Sequence, residues 1–282
     1  MSADDVGGDG NLDGEDPGAR TRLEVLRRAA ALVYVDDVAA PALDAADAHH
    51  LRDVLRVGVS ETVVASDGLG CWRTCRLADA VPRDAGLRRR RGAGSAPAEA
   101  QRSHVEPLEP LGPVRRDDPP ARPVAVAFAL TKGDRPEWTV QKLTELGVDE
   151  IVPLLTARTV VRLGPDELRR RALRLRRVAR EAGSQSRRTR LPVVREPTPF
   201  ARALTSLAGP ARLAEPGGAP LDGSTAAVLV GPEGGWDPAE LACGLGTLDL
   251  GPTVLRADTA ALVAAVLLGS QRGDRLRDAG GQ

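Results

Sequence analysis

The chain has 282 residues, enough for two domains because one hydrophobic core usually serves ~100–200 residues, and its 42% hydrophobic content allows a sizeable core. The longest apolar runs, 124–130 and 260–268, are far shorter than the about 20 residues that span a bilayer. We expect a cytoplasmic protein without a signal peptide, since the first residues are acidic and three cysteines do not suit a disulfide framework.

The net charge is zero, with 39 basic and 39 acidic side chains, but the charges are unevenly distributed. The first twenty residues hold six acidic side chains and one arginine. Residues 158–190 hold twelve arginines against three acidic residues, a local net charge of +9. Such a block is typical of proteins that bind a polyanion. For a charge run alone, a solvated helix face is the simpler interpretation.

The N-terminal half reads as a disordered acidic tail over 1–19 and then a small β domain. Within it we predict a strand at 32–35, a short helix at 47–55 and a hairpin of 62–66 with 71–77. Short strands at this spacing favour a small β-barrel. Cys71 and Cys75 fall on one strand face and are interpreted as core. The stretch 82–122 predicts a strand or two in an Arg/Pro-rich loop, then a linker.

From 124 onwards the pattern alternates between strands and helices, which predicts an α/β domain with a mostly parallel sheet. The predicted strands are 124–130, 150–155, 226–230 and 247–250. The predicted helices are 136–147, 165–182 and 260–268, the last one capped by Asp258 or Thr259. The apolar stripe of the second helix comprises Leu168, Ala172, Leu175, Ala179 and Ala182.

Two glycine-bearing turns are the strongest candidates for a site. The first, 230–235, directly follows a buried strand, at the edge where α/β sheets bind ligands, although a tight turn before a helix is an equally good interpretation. The second, 250–256, ends in Arg256 just before a helix. Cations are disfavoured at helix N-termini, so we expect Arg256 to have a ligand or a salt bridge to Asp258 or Glu233.

Two further segments carry charge near strand or helix ends. Lys132 and Arg135 follow the first strand of the α/β domain and are placed to hold phosphate, whereas 181–188 closes the basic helix. Ordinary capping and surface charge explain both segments as well. All three histidines, His49, His50 and His104, precede the α/β domain, so we expect neither a histidine base nor a metal cluster there.

Five segments, in order, resemble the RsmE family of small-subunit ribosomal RNA methyltransferases, in the SPOUT superfamily. They are 48–58, 132–147, 181–188, 231–235 and 250–260. The resemblance implies a PUA-like β-barrel that binds RNA over 20–122. It implies a SPOUT-type methyltransferase domain over 123–282, tied in a trefoil knot. It further implies a homodimer that uses S-adenosylmethionine, without a metal, to methylate N3 of a uridine in the decoding region of 16S rRNA.

The cofactor-binding residues that the resemblance implies are Val230, Gly231, Pro232, Glu233, Gly234, Gly235, Leu250, Gly251, Val254, Leu255, Arg256 and Thr259. Two positions depart from the family. Asp258 stands where glutamate is usual, and Gly183-Ser184 replaces a pair that is more often bulkier or acidic.

Methylation of a neutral uridine requires loss of the N3 proton, and the resulting charge spreads onto the two carbonyl oxygens. We expect Arg256 to stabilise that anion, with support from Arg187 or Arg188, and a carboxylate or bulk water to accept the proton, the candidate carboxylates being Glu181 and Asp258. We expect RNA phosphate to bind at Arg52, Arg56, Lys132, Arg135, Arg187 and Arg188, together with the arginine face of 169–180. Two alternatives stay open: a non-catalytic RNA-binding or ribosome-assembly protein, and a SPOUT enzyme that modifies tRNA or a ribose 2′-hydroxyl.

Overall fold

A computed structural model describes residues 17–78, 106–160 and 163–278. The predicted acidic tail, apart from 17–19, and most of the predicted Arg/Pro-rich loop lie outside these residues. The prediction of disorder is wrong for 17–19, because helix α1 (Pro17–Arg28) begins there. Leu26 near its end and Ala29 just beyond it, three residues apart, are buried, and this packing holds the helix against the neighbouring strands.

The N-terminal half forms one curled sheet around its own core. Its elements are β1 (Ala31–Tyr34), β2 (Ala42–Leu43), α2 (Ala45–His49), a π-helical turn (His50–Val54), β3 (Thr62–Ser66), β4 (Cys71–Leu77), β5 (Glu106–Pro110) and β6 (Arg115–Arg116). The strand order is β1-β3-β4-β5-β2, with β6 beside β4. The predicted hairpin is confirmed as β3 and β4, and Cys75 is fully buried as expected.

The C-terminal half is the predicted α/β domain. Its elements are β7 (Ala125–Ala129), α3 (Arg135–Glu145), β8 (Glu150–Leu155), α4 (Pro165–Gln185), β9 (Val193–Val194), β10 (Thr198–Pro199), α5 (Phe200–Ser206), β11 (Ala211–Ala219), β12 (Ala227–Val230), α6 (Pro238–Leu241), β13 (Thr247–Leu248) and α7 (Ala257–Asp278). Every pairing among the described strands of this sheet is parallel, in the order β10-β8-β7-β12-β11-β13, with β9 beside β8.

Two apolar layers cover this sheet. One core packs strand residues such as Val126 and Phe128 against Leu143 of α3, Leu175 of α4 and Ala261 of α7. The other core lies under α5 on the opposite face. The second core contains Ala127, Val152, Leu154, Phe200, Ala203, Leu213, Leu229 and Trp236. The predicted stripe of α4 is confirmed, since four of its five members are buried: Ala172, Leu175, Ala179 and Ala182. A sheet covered on both faces explains the continuous apolar runs of its strands.

Several features of this domain differ from the sequence predictions, among them the short strands β9 and β10, which were not predicted. Strand β11 was not predicted, because Pro216, Gly217 and Gly218 within it are residues that strand interiors disfavour. Helix α5 was also not predicted. Helix α7 begins at Ala257, so Asp258 and Thr259 lie in its first turn and do not cap it. None of the helices in the described ranges is long and apolar enough to cross a membrane.

A half-buried carboxylate joins the two halves. Asp117 accepts hydrogen bonds from Arg22 Nε (2.7 Å), Trp72 Nε1 (3.0 Å) and the Thr189 hydroxyl. Burial alone would raise the pKa of the Asp117 carboxyl, but these hydrogen bonds and the Arg22 charge outweigh it and lower that pKa below its usual value. Helix α1, strand β4 and the chain after α4 therefore meet at one ionised group.

The contact between the two halves also explains why glycine stands at position 183, where the family more often has a bulkier or acidic residue. A Cβ added to Gly183 would lie 2.4 Å from the Tyr34 hydroxyl and 2.6 Å from a Leu191 methyl. The Tyr34 hydroxyl donates to the carbonyl of Arg188 (2.7 Å). Burial raises the pKa of Tyr34, so this hydroxyl stays protonated and remains a hydrogen-bond donor. A bulkier residue at 183 would separate α4 from β1.

Candidate functional site

A cavity of about 370 Å³ opens at the carboxyl ends of β12 and β13, beside the middle of β11. The two predicted glycine turns lie on either side of it. The predicted cofactor residues among its lining are Val230, Gly231, Pro232, Glu233, Gly234, Gly235, Leu250, Gly251, Val254 and Leu255. Arg256 and Thr259 are not among the lining residues, although their neighbours Leu255 and Ala260 are. The structure therefore brings together two turns that are separated along the chain by α6 and β13.

Packing against Trp236 and hydrogen bonds hold the first turn, 231–235, on both sides. The indole of Trp236 stacks so close to Gly231 that an added Cβ would lie 3.0 Å from the ring, and its Nε1 donates to Ala214 O (2.9 Å). Gly235 has a φ of +73° and donates from its N–H to Pro232 O (2.8 Å), which closes the turn. Arg158, which follows β8, donates to Gly234 O (2.8 Å). Glycine is needed here for both space and conformation.

The second turn, 250–255, is held by Asp249. One oxygen of its carboxylate accepts the Gly251 N–H (2.9 Å), and the other accepts the Gly217 N–H of β11 (3.2 Å). Strand β11 passes the turn closely, since a Cβ on Gly218 would lie 2.6 Å from Leu248 N. Gly217 and Gly218, which made β11 hard to predict from the sequence, therefore allow the cavity walls to approach each other.

Arg256 lies at the rim of this cavity as a free guanidinium. Its side chain is exposed, and within the part of the chain that the structure describes it has no hydrogen bond or ion pair. The expected salt bridge to Asp258 or Glu233 is wrong, because Arg135 lies within ion-pair distance of both carboxylates. A cation without a protein partner, at the mouth of a ligand-sized cavity, is available to a bound molecule.

The other predicted residues lie at three kinds of position. Glu181 is exposed on α4, pairs with Arg177 (2.8 Å) and does not line the cavity. Lys132 and Arg56 are exposed and without a partner in the described ranges, Arg56 with a φ of +55°. Arg52 pairs with Glu106 and donates to Ala78 O.

Arg187 and Arg188 hold the two halves of the chain in place. Arg187 donates to Ala29 O and Ala30 O at 3.0 and 2.8 Å. Arg188 donates to Thr144 O and Val148 O at 2.9 and 2.8 Å, and burial lowers its pKa to about 10. The structure therefore gives both guanidinium groups structural partners, so they are less available to RNA than the sequence suggested.

The arginines of α4 are mostly neutralised by nearby acceptors. Arg169, Arg171, Arg174, Arg177 and Arg180 each pair with a carboxylate, and Arg176 donates to Val194 O (3.0 Å). Among the described residues, Arg170 is the one arginine of α4 that has no partner. The local charge of +9 therefore overstates the free positive charge on this helix.

Sequence reasoning missed part of the cavity wall. The missed lining residues with side-chain chemistry are Glu215, Trp236 and Asp249, beside Ala214 and Pro216. The 214–216 segment gave no signal because β11 was not recognised. Asp249 was placed inside the predicted strand 247–250, whereas the observed strand ends at Leu248 and Asp249 bonds the backbone that follows, as Asx residues at turns commonly do.

The lining combines three kinds of surface. Val230, Leu250 and Leu255 are apolar, the glycine turns expose backbone groups, and Glu215 and Asp249 contribute carboxylates. A cavity of this size and mixture suits a small molecule with an apolar body and several polar groups. In the described ranges no group of His, Cys, Asp and Glu side chains is placed to hold a metal ion.

Comparison with known proteins places these observations in context. Residues 118–269 match the family described as RNA methyltransferase domain. The chain is 33% identical over 261 residues to ribosomal RNA small subunit methyltransferase E of Mycobacterium bovis, covering 85% of this chain and 91% of the relative. The relative of the same name from Bacillus subtilis is 32% identical over 182 residues, covering 54% and 69%.

Solved structures share the fold across both halves. A probable rRNA-methyltransferase from Porphyromonas gingivalis has a TM-score of 0.66 at 25% identity, covering 87% of this chain and 99% of that one. Ribosomal RNA small subunit methyltransferase E from Neisseria gonorrhoeae, bound to S-adenosyl methionine, has a TM-score of 0.66 at 24% identity, covering 85% and 97%.

Proposed function

The chain belongs to the RsmE family of S-adenosylmethionine-dependent ribosomal RNA methyltransferases, and from this we propose that its target is N3 of a uridine in the decoding region of 16S rRNA. The observation that carries the proposal is a cavity between two glycine turns with an unpaired arginine at its rim. The clearest experiment is mass mapping of 16S rRNA from cells that lack this protein. One 3-methyluridine should be missing there and should return with the wild-type gene, whereas a missing tRNA or ribose methylation would contradict the target.

The cavity fits S-adenosylmethionine by size and by lining. The glycines of the two turns carry no side chains that would keep the nucleoside from their backbone, and Leu250 and Leu255 offer an apolar surface. Residues 230–235 and 250–255 would hold the cofactor, with Glu215 and Asp249 beside its polar groups. When bound, the cofactor supplies a methyl group already activated by its sulfonium, so the protein has to position the acceptor in line with it.

Replacing Gly231 by alanine should weaken S-adenosylmethionine binding about tenfold, because overpacking costs about 1–3 kcal/mol. The added Cβ would lie 3.0 Å from the Trp236 ring and would displace the indole that holds Ala214 at the cavity wall. Isothermal titration calorimetry measures the change. Gly269→Ala is the matched control, since nothing lies within 4 Å of its added Cβ. Equal affinities of the two variants would place the cofactor elsewhere.

Arg256 is the residue we assign to the chemistry at the acceptor. Loss of the N3 proton places negative charge on the uracil carbonyl oxygens, and a guanidinium close to them stabilises that charge. Arg256 is free to do so because Arg135 pairs with the neighbouring carboxylates. Neither Glu181 nor Asp258 lines the cavity, but Asp258 directly follows the lining residue Ala257, so Asp258 and solvent water are the proton acceptors we favour.

The finer architecture is also part of the proposal. Strand β12 lies between β7 and β11, and the two turns after β12 and β13 lie side by side, which supports a trefoil knot in the SPOUT-type domain over 123–282. The curled N-terminal sheet supports a PUA-like barrel over 20–122. Exposed apolar side chains on the adjacent helices α3 and α7 (Trp138, Leu146 and Val266) support a homodimer, which light scattering would detect as twice the chain mass. An rRNA substrate would place the protein in the cytoplasm.

RNA binding should weaken steeply as salt rises, with log K falling by about 0.7–0.9 per phosphate contact for each unit of log salt. We assign phosphate contacts to the exposed, unpaired side chains of Arg56, Lys132 and Arg170. Arg56→Ala should lower the slope of a filter-binding salt titration by about one contact. Arg202, exposed on α5 and also unpaired in the described ranges, provides the control substitution, and identical slopes for both variants would remove Arg56 from the interface.

A further inference from the structure

Arg135 connects both sides of the cavity mouth. Its Nη1 lies 3.4 Å from Glu233 Oε1 in the first glycine turn and 3.8 Å from Asp258 Oδ2 in the first turn of α7. It is the first residue of α3. One guanidinium therefore joins three segments that are far apart in the chain.

The backbone that carries Arg135 is held firmly. Its carbonyl accepts the Thr139 hydroxyl (2.9 Å) within α3, and Glu137 of the same turn pairs with Arg171 (2.9 Å) and Arg174 (3.0 Å) of α4. Glu137 is buried, so this contact fixes the start of α3 against α4. Arg135 thus projects from a rigid support, which is what the positioning of a neighbouring charge requires.

The two arginines near the cavity mouth, Arg135 and Arg256, differ in whether they have acidic partners. Glu233 and Asp258 both lie near Arg135, whereas Arg256, two residues before Asp258, has no partner in the described part of the chain. Without Arg135, Glu233 and Asp258 would lose their cationic partner, and Asp258 would keep only its hydrogen bonds from Thr259 among the described residues. Opposite charges attract, so the exposed Arg256 would be drawn towards these carboxylates.

We infer that Arg135 is a positioning residue that occupies Glu233 and Asp258 and so keeps the guanidinium of Arg256 free for the uracil oxygens. The inference rests on the role proposed above for Arg256. It also replaces the expectation that Arg135 binds RNA phosphate. A phosphate bound to Arg135 would lie close to Glu233 and Asp258, the carboxylates with which Arg135 already pairs. Their negative charges would repel it.

The test is single-turnover methyl transfer with saturating cofactor and RNA, on variants whose folding is verified by thermal unfolding. Arg135→Ala should lower the rate about threefold to fivefold, the size expected from an exposed ion pair, with little change in the KM for RNA. Adding Glu233→Gln to Arg135→Ala should recover most of that loss, because one competing carboxylate is gone. Arg135→Lys, which keeps the charge, should lie between Arg135→Ala and wild type.

A background variant separates this inference from the proposed function. In Arg256→Ala protein, the further change Arg135→Ala should leave the residual rate where it is, because its effect acts through Arg256. Multiplicative losses in that double variant, or no recovery with Glu233→Gln, would overturn the inference. A raised KM with a salt slope reduced by about one contact would instead identify Arg135 as a phosphate ligand. Full activity of Arg256→Ala alone would show that the proposed function of Arg256 itself had failed.

Discussion

Replacing Arg256 by alanine should lower kcat for methyl transfer by about 10²–10³-fold, the usual cost of removing a group that stabilises a developing oxyanion. The side chain is exposed and has no hydrogen bond or ion pair within the described residues, so the fold and the thermal midpoint should not change. Cofactor affinity should also be kept, because Arg256 does not line the cavity. Methyl incorporation from labelled cofactor into rRNA, under saturating conditions, measures the effect.

Two companion variants sharpen this test. Arg202→Ala removes another exposed guanidinium without a partner in the described ranges, from α5, none of whose residues line the cavity, and should keep wild-type kcat. Arg256→Lys keeps the charge but loses the planar donor fork, so it should recover only part of the rate. If Arg256→Ala and Arg202→Ala were equally active, Arg256 would have no part in the reaction.

Replacing Asp117 by alanine should lower the free energy of unfolding by about 2–4 kcal/mol, since it leaves the buried donors of Trp72 and Thr189 without their charged acceptor. Arg22, Trp72 and Thr189 would each lose a hydrogen bond at the contact between the two halves. Urea denaturation, with the slope checked for a single transition, measures the change. Asp118→Ala is a matched control, because Asp118 is exposed and has no partner in the described ranges, and it should be close to neutral.

The same carboxyl predicts a pH dependence. Its pKa in the folded protein is lowered, so its contribution is complete at pH values above the unfolded pKa, about 3.9, and is lost as pH falls through the folded value. The stability difference between wild type and Asp117→Ala should therefore be constant near neutrality and shrink in acid. A difference that grew as pH fell would contradict an ionised Asp117 in the folded state.

Local pattern was a good guide to the elements and a partial guide to the site. The hairpin of β3 and β4 and the apolar stripe of α4 were predicted because burial on one side leaves a periodic pattern in the chain, and the strand at 150–155 was predicted because burial on both sides leaves a continuous apolar run. Strand β11 left no such pattern, since it is short of apolar residues and rich in glycine and proline. Because β11 was not predicted, Glu215, which forms part of the cavity wall, was not predicted either.

The sequence by itself determined the parallel α/β class, the family and the two glycine turns, because each depends on residues that are neighbours in the chain. Only the tertiary structure decided which charges are paired. Arg135 and Glu233 are 98 residues apart in the chain, and Arg187 and Ala29 are 158 apart. No local pattern could therefore reveal that Arg135 pairs with a carboxylate at the cavity rim, or that Arg187 holds the contact between the two halves. Ion pairs depend on distance in space, and the order of strands in the sheet sets that distance.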